Sequence, residues 1–283
     1  MPKSKAFHSF ESKLAYFDDD IELIDVLRDG VLGGDLTDPQ TNNLLKHLNP
    51  QKHQHLARRQ NSEGSRRNTI NHLRQTVYSS YLKDLYEEVT DYLRLILEQA
   101  SRNGFNANRV IGEHSFKMDA KLVLALGNWD AVCQAVTESV FQSLEAERST
   151  LNLLRKVASK LGLDIDDQLI DNALPYLEVR HFLVHSDGQL NQEYIAKYPH
   201  IHRRGNGNVN LTYTLISNAR SSVQALITAY DEEVTGKNLI SPQDLTPSVS
   251  LVVQLAISPE FNQSGAAWEH SCHAIPKNVK PQC

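Results

Sequence analysis

Cysteine is scarce in this chain: Cys133, Cys272 and Cys283 are the three among 283 residues. An odd, thinly spread set does not make a disulfide framework, so a reducing compartment, the cytoplasm, is expected. Long apolar runs are missing too. The best stretch, Ser250 to Ile257, falls far short of the ~18 residues of a membrane span, so no membrane association is expected. Met1 to Leu14 holds no apolar core of the kind a secretory signal uses. There is no surplus of positive charge either, with 29 Lys and Arg against 34 Asp and Glu, a net −5. That argues against a broadly basic nucleic-acid coat but leaves room for a local patch. No Gly-x-x-x-x-Gly-Lys-Ser/Thr loop, strand-led Gly-x-Gly-x-x-Gly or Gly-x-Ser-x-Gly elbow occurs. P-loop hydrolysis, dinucleotide redox chemistry and α/β-hydrolase chemistry are therefore unsupported, and no cofactor is expected.

What is present is globular composition arranged at helical spacing. Hydrophobic residues make up 40% and charged residues 22%, enough for a packed core. Phe10, Leu14, Phe17, Ile21, Ile24 and Leu27 predict a helix over Phe7 to Arg28, with Gly30 as its stop. A long helix is expected over Arg66 to Ser101, ended by Asn103-Gly104, and a weaker one over Asp119 to Leu126, with Asn106 to His114 as a loop between them. One helix is predicted across Thr137 to Leu161. Another spans Asp164 to Val184, where Pro175 implies either a kink or two helices meeting near residue 174. Val209, Leu211, Tyr213 and Leu215 alternate with polar residues, which allows a short extended segment before a last helix over Ser217 to Val234. Five of the ten prolines fall between Pro242 and Pro281, which reads as an irregular, loosely packed or disordered tail. The expectation is an all-α bundle of long helices. It divides into 1–65 (helix and basic connector), 66–236 (helical domain) and 237–283 (tail).

Two stretches could carry chemistry. Lys52 to Arg74 holds Arg58, Arg59, Arg66 and Arg67 with Glu63 as the single acid. It reads as a solvated connector or as a phosphate-contacting surface, to which Arg203 and Arg204 could add. Near the end of the Asp164 helix stand Arg180 and His185. A five-residue step turns about 140° around an ideal helix, so they do not share a stripe. They converge only if the helix frays or both face a cleft between subunits. An arginine fork suits a phosphate, and histidine exchanges protons near neutral pH. Together they supply what RNA cleavage by the ribose 2′-hydroxyl needs, with no metal required. A rival set, Glu178, His181 and His185, lies on one helical face and could hold a divalent ion. His270, Cys272 and His273 form a second soft cluster, read as a stray part of the tail.

The run Leu177-Glu178-Val179-Arg180-His181-Phe182-Leu183-Val184-His185-Ser186-Asp187-Gly188 resembles the signature helix of the HEPN superfamily, an Arg followed four to six residues later by His. Tyr194 to Pro199 resembles the segment that trails this motif in some bacterial members. The resemblance covers roughly Arg66 to Val234. It implies a HEPN-like bundle that forms a homodimer, binds RNA and acts as a metal-independent endoribonuclease of toxin–antitoxin or anti-phage defence, restrained by an antitoxin or regulatory protein. By the same resemblance Arg180 would stabilise the phosphate and His185 would act as base or acid. An early-helix polar residue, Asp84 ahead of Ser80 and Glu87, would support the site. His181 stands where the family often has Asn. It is then either a second proton-transfer group or the mark of an altered site, which keeps a non-catalytic RNA- or protein-binding module as the alternative.

Overall fold

The computed structural model describes residues 2–37, 42–112 and 119–247. Among the described residues the chain forms ten α-helices and no strand. In order these are α1 (Lys5–Gly33), α2 (Gln54–Ala57), α3 (Glu63–Arg102), α4 (Ala107–Ile111), α5 (Ala120–Leu126), α6 (Trp129–Ala146), α7 (Thr150–Leu161), α8 (Asp167–His185), α9 (Gln192–Lys197) and α10 (Tyr213–Gly236).

Side-chain caps start the long helices. The Ser4 hydroxyl accepts from the Phe7 amide at α1, Ser62 from Ser65 at α3, Asp166 from Gln168 at α8 and Thr212 from Leu215 at α10. Each satisfies an amide that has no partner inside the helix. The 40-residue α3 is the axis of the bundle. α1, α6, α8 and α10 pack against it, and α7 closes onto α8 and α6. Along α3, Tyr78, Leu82, Leu85, Val89, Tyr92, Leu93 and Ile96 are buried at three- and four-residue steps, the stripe that helical geometry demands of a packed face. Phe7 and Phe10 of α1 lie against Tyr92. Each such buried ring contributes about 2 kcal/mol from surface withdrawn from water.

A buried polar knot fixes both ends of this packing. Asp231 of α10 accepts from the Ser4 hydroxyl at 2.5 Å, the Ser4 amide at 3.1 Å and the Tyr92 hydroxyl at 3.2 Å. Burial pushes the Asp231 carboxyl up, and the Ser4 and Tyr92 hydrogen bonds pull it back toward the ionised form. A second knot joins α1 to α3: Arg74 and Tyr78 both donate to Asp25, at 2.9 and 3.0 Å.

Several sequence expectations need correction. α1 does not stop at Gly30 but continues to Gly33, where Gly34 at φ 95° supplies the left-handed cap. At Gly30 the missing side chain makes room for Leu36, which would lie 3.0 Å from a Cβ there. The segment expected to be a loop after Asn103 contains α4, capped by Asn106; residues 113 and 114 lie outside the described residues. The single helix expected over Thr137 to Leu161 is two helices. Arg148 adopts φ 55° and Ser149 caps a new start by accepting from Asn152. Pro175, by contrast, sits inside one continuous α8, and its carbonyl accepts from the Tyr194 hydroxyl at 2.6 Å. The alternating stretch after the motif makes only isolated bridges, Gln189 with Asn208 and Arg203 with Val209, and Tyr213 and Leu215 belong to α10. The first part of the expected tail is irregular yet docked: Ile240 is buried and the Thr246 amide donates to Lys3. The remainder, with His270, Cys272 and His273, lies outside the described residues.

Candidate functional site

The last two turns of α8 carry the motif. The buried face, Leu174, Leu177, Val179 and Phe182, anchors the helix in the core. This leaves His181 and His185 on its exposed side, with Arg180 half-buried beside them. The helix ends at Ser186, where Asp187 and Gly188 turn left-handed at φ 50° and 82°. The Gly188 amide returns to the Phe182 carbonyl at 2.8 Å.

Arg180, His181 and His185 all line one cleft of about 790 Å³. The two histidines, one turn apart, hold their ring centroids 4.9 Å from each other, while the Arg180 side chain turns toward α3. Arg180 is not a solvated surface cation. Its guanidinium lies 5.0 Å above the Tyr86 ring of α3. Its Nε is buried without a hydrogen-bond partner, and among the described residues it has no carboxylate partner in an ion pair. Arg28, Arg66 and Arg102 each bury an Nε in the same way, so what sets Arg180 apart is its place over Tyr86 on the cleft wall.

The other walls come from elements the sequence did not associate with the motif. Tyr86 is held by the Thr150 hydroxyl; its phenol is raised by burial, with Thr150 and Arg180 working against that rise. Arg148 enters from the break between α6 and α7, and Glu145 from the end of α6. Burial and the neighbouring Glu138 push the Glu145 carboxyl up, against the pull of Arg94 and Arg180. On the far side α9 brings Lys197, which bonds both Glu178 oxygens at 3.2 and 3.3 Å. Tyr194 packs edge-on to Phe182 at 4.9 Å. The cleft thus mixes cations and acids instead of presenting one sign.

Asp84 is not brought to this cleft. It accepts from Ser80 at 3.0 Å and lines a separate groove against Phe17 and Ile21 of α1. The α3 residue that faces Arg180 is Tyr86. Glu178, His181 and His185 do share the cleft wall, but among the described residues no three His, Cys, Asp or Glu side chains form a group able to hold a metal ion. Of the basic candidates, Arg58 and Arg59 line a hollow with His55 and His72, and Arg203 and Arg204 flank another. Arg67 is paired with Glu63, whereas Arg66 donates to the neutral Asn61 side chain and has no carboxylate partner among the described residues. Arg148, Tyr86 and Lys197 were missed because their approach to α8 is set by packing. Only the Ser149-Thr150 capping signal hinted at the break that sets Arg148 at the cleft.

No family model, curated protein or solved structure matches the chain. Among the described residues no helix is long and apolar enough to cross a membrane.

Proposed function

We propose that this protein is a metal-independent endoribonuclease acting through Arg180 and His185, in keeping with the HEPN resemblance and with a toxin or phage-defence role under the restraint of a partner protein. One observation carries the reading: Arg180, stacked on Tyr86 and free of any ion pair among the described residues, opens into the same cleft as His181 and His185. Its fork would hold the scissile phosphate. One imidazole would take the 2′-hydroxyl proton as O2′ attacks phosphorus. The P–O5′ bond breaks, and the other imidazole would return a proton to O5′. The products are a 2′,3′-cyclic phosphate and a free 5′-hydroxyl. Because the rings lie 4.9 Å apart, both can reach one phosphodiester, and His181 in place of the usual Asn then serves as the second proton carrier. A homodimer is part of the same reading, on the resemblance alone.

The test is RNA cleavage in EDTA by the wild type, Arg180→Ala and His185→Ala, each purified twice. Cleavage by the wild type alone, with cyclic phosphate ends, is expected. Equal inactivity of all three would favour the second reading, an RNA- or protein-binding module that does not cut, for which the His181 departure is the specific observation.

A further inference from the structure

A second groove, of about 780 Å³, runs along the first half of α3 on the side away from the core. Asn68, Asn71, His72, Gln75, Ser79 and Lys83 line it. Their spacing places them on one helical stripe about 22 Å long. No Asp or Glu of α3 lines this groove, although the chain as a whole carries more acid than base. The opposite wall is the turn that ends α8 together with the loop before α10. It contributes Asp187, Arg204 and Asn208, and Asp187 is the one carboxylate among the described lining residues. Asn68 and His72 also line the adjoining hollow that holds His55, Arg58 and Arg59. Among the described residues none of Arg58, Arg59, Lys83, Arg203 and Arg204 has a carboxylate partner.

We infer that this groove binds single-stranded RNA, with bases against the carboxamide stripe and phosphates on the cations at its two ends. Asn68 and Asn71 offer a donor and an acceptor side by side, the pairing that base edges require, while Gln75 already donates to the Leu211 carbonyl at 3.1 Å and keeps its oxygen and a second N–H for a base. An A-form duplex closes its major groove to side chains, so the Watson–Crick and Hoogsteen edges are reached in unpaired strands. Leu183 and Asp187 border the groove at the C-terminal end of α8, on the other side of that helix from His181 and His185, and the groove and the cleft share no lining residue. The choice of RNA over DNA rests on the cleavage reading above; the groove itself stands on its own residues.

The experiment uses the full chain carrying His185→Ala and a short fluorescent RNA of mixed sequence, the same sequence as DNA, and the RNA duplex. Single-stranded RNA is expected to bind most tightly. Adding Lys83→Glu with Arg204→Glu should weaken it by about tenfold or more, and lower the slope of log affinity against log salt by about 0.7 for each cation removed. Lys121→Glu, a single charge reversal on exposed α5, should do neither. Melting is read alongside; if the double exchange unfolds the chain, Asn71→Ala with Arg204→Ala replaces it. Unchanged affinity in the groove variants overturns the inference, as does equal binding of the duplex, and equal binding of DNA overturns the assignment to RNA. Groove-dependent binding without cleavage by the wild type in EDTA sinks the catalytic reading and leaves this one. Cleavage by a chain whose groove variants keep full affinity does the reverse.

Discussion

Arg148 shows most directly how a single residue serves this cleft at the expense of backbone comfort. Its φ of 55° belongs to the left-handed region, which costs a residue with a Cβ about 1–2 kcal/mol. Glycine would relieve that strain, yet an exposed arginine stands there and lines the cleft beside Arg180. Arg148→Gly should therefore raise stability slightly. The strain relieved outweighs, by about 0.5–1 kcal/mol, the extra freedom glycine brings to the unfolded chain. The same change should lower RNA cleavage by roughly ten- to a hundredfold, the worth of one charge-assisted hydrogen bond. Urea midpoints and cleavage rates of the one variant test both halves. A variant that is more stable and fully active would mean that Arg148 only makes the turn. At this scale Arg180 and His185 could be singled out in the sequence by type and spacing, and the fold places both on one cleft wall. Tyr86, Arg148 and Lys197 were not, because each reaches the cleft from an element distant in sequence.

At the level of elements, the end of α8 positions His185. Gly188 takes φ 82°, its amide closes on Phe182, and its carbonyl accepts from the Val209 amide at 2.8 Å. A Cβ would have room, with Leu183 and Val209 no closer than 3.4 and 3.5 Å. The penalty of Gly188→Ala is thus conformational, about 1 kcal/mol. It should appear as a small drop in melting temperature with a larger loss of cleavage, because the last turn of α8 frays first. Equal, small losses in both would show that the turn does not position His185. Most helices were readable from apolar periodicity and caps. The break between α6 and α7 was not, since Leu144, Leu151 and Leu154 keep a near-helical rhythm across it and conceal the interruption.

For the molecule as a whole, buried phenols set the alkaline limit. Burial pushes Tyr78 up to about 12, with Asp25 adding to the rise and Arg74 opposing it; Tyr198 is also raised to about 12, by burial first. Tyr81, Tyr92, Tyr194 and Tyr230 are raised further, chiefly by burial. A group whose folded value exceeds its unfolded value stabilises the fold fully below the unfolded value, near 10 for tyrosine, and loses that contribution as pH rises through the folded value. Unfolding free energy should therefore fall from about pH 10 upward, by up to about 1.4 kcal/mol per pH unit for each phenol that ionises only on unfolding. Urea midpoints followed from about pH 9 to pH 11, with tyrosinate absorbance, check this. A flat midpoint over that range would contradict it.

By itself the sequence determined the helical class and the rough extent of the longer helices. These depend on residue type and on neighbours within a few positions, where capping and apolar periodicity act. Tertiary structure alone decided that Arg180 rests on Tyr86, that Asp84 faces α1, and that α3 turns a carboxamide stripe toward the end of α8. Those facts depend on how the helices rotate and close on one another. That rotation is set by the summed packing of a core assembled from distant segments, which no local pattern encodes.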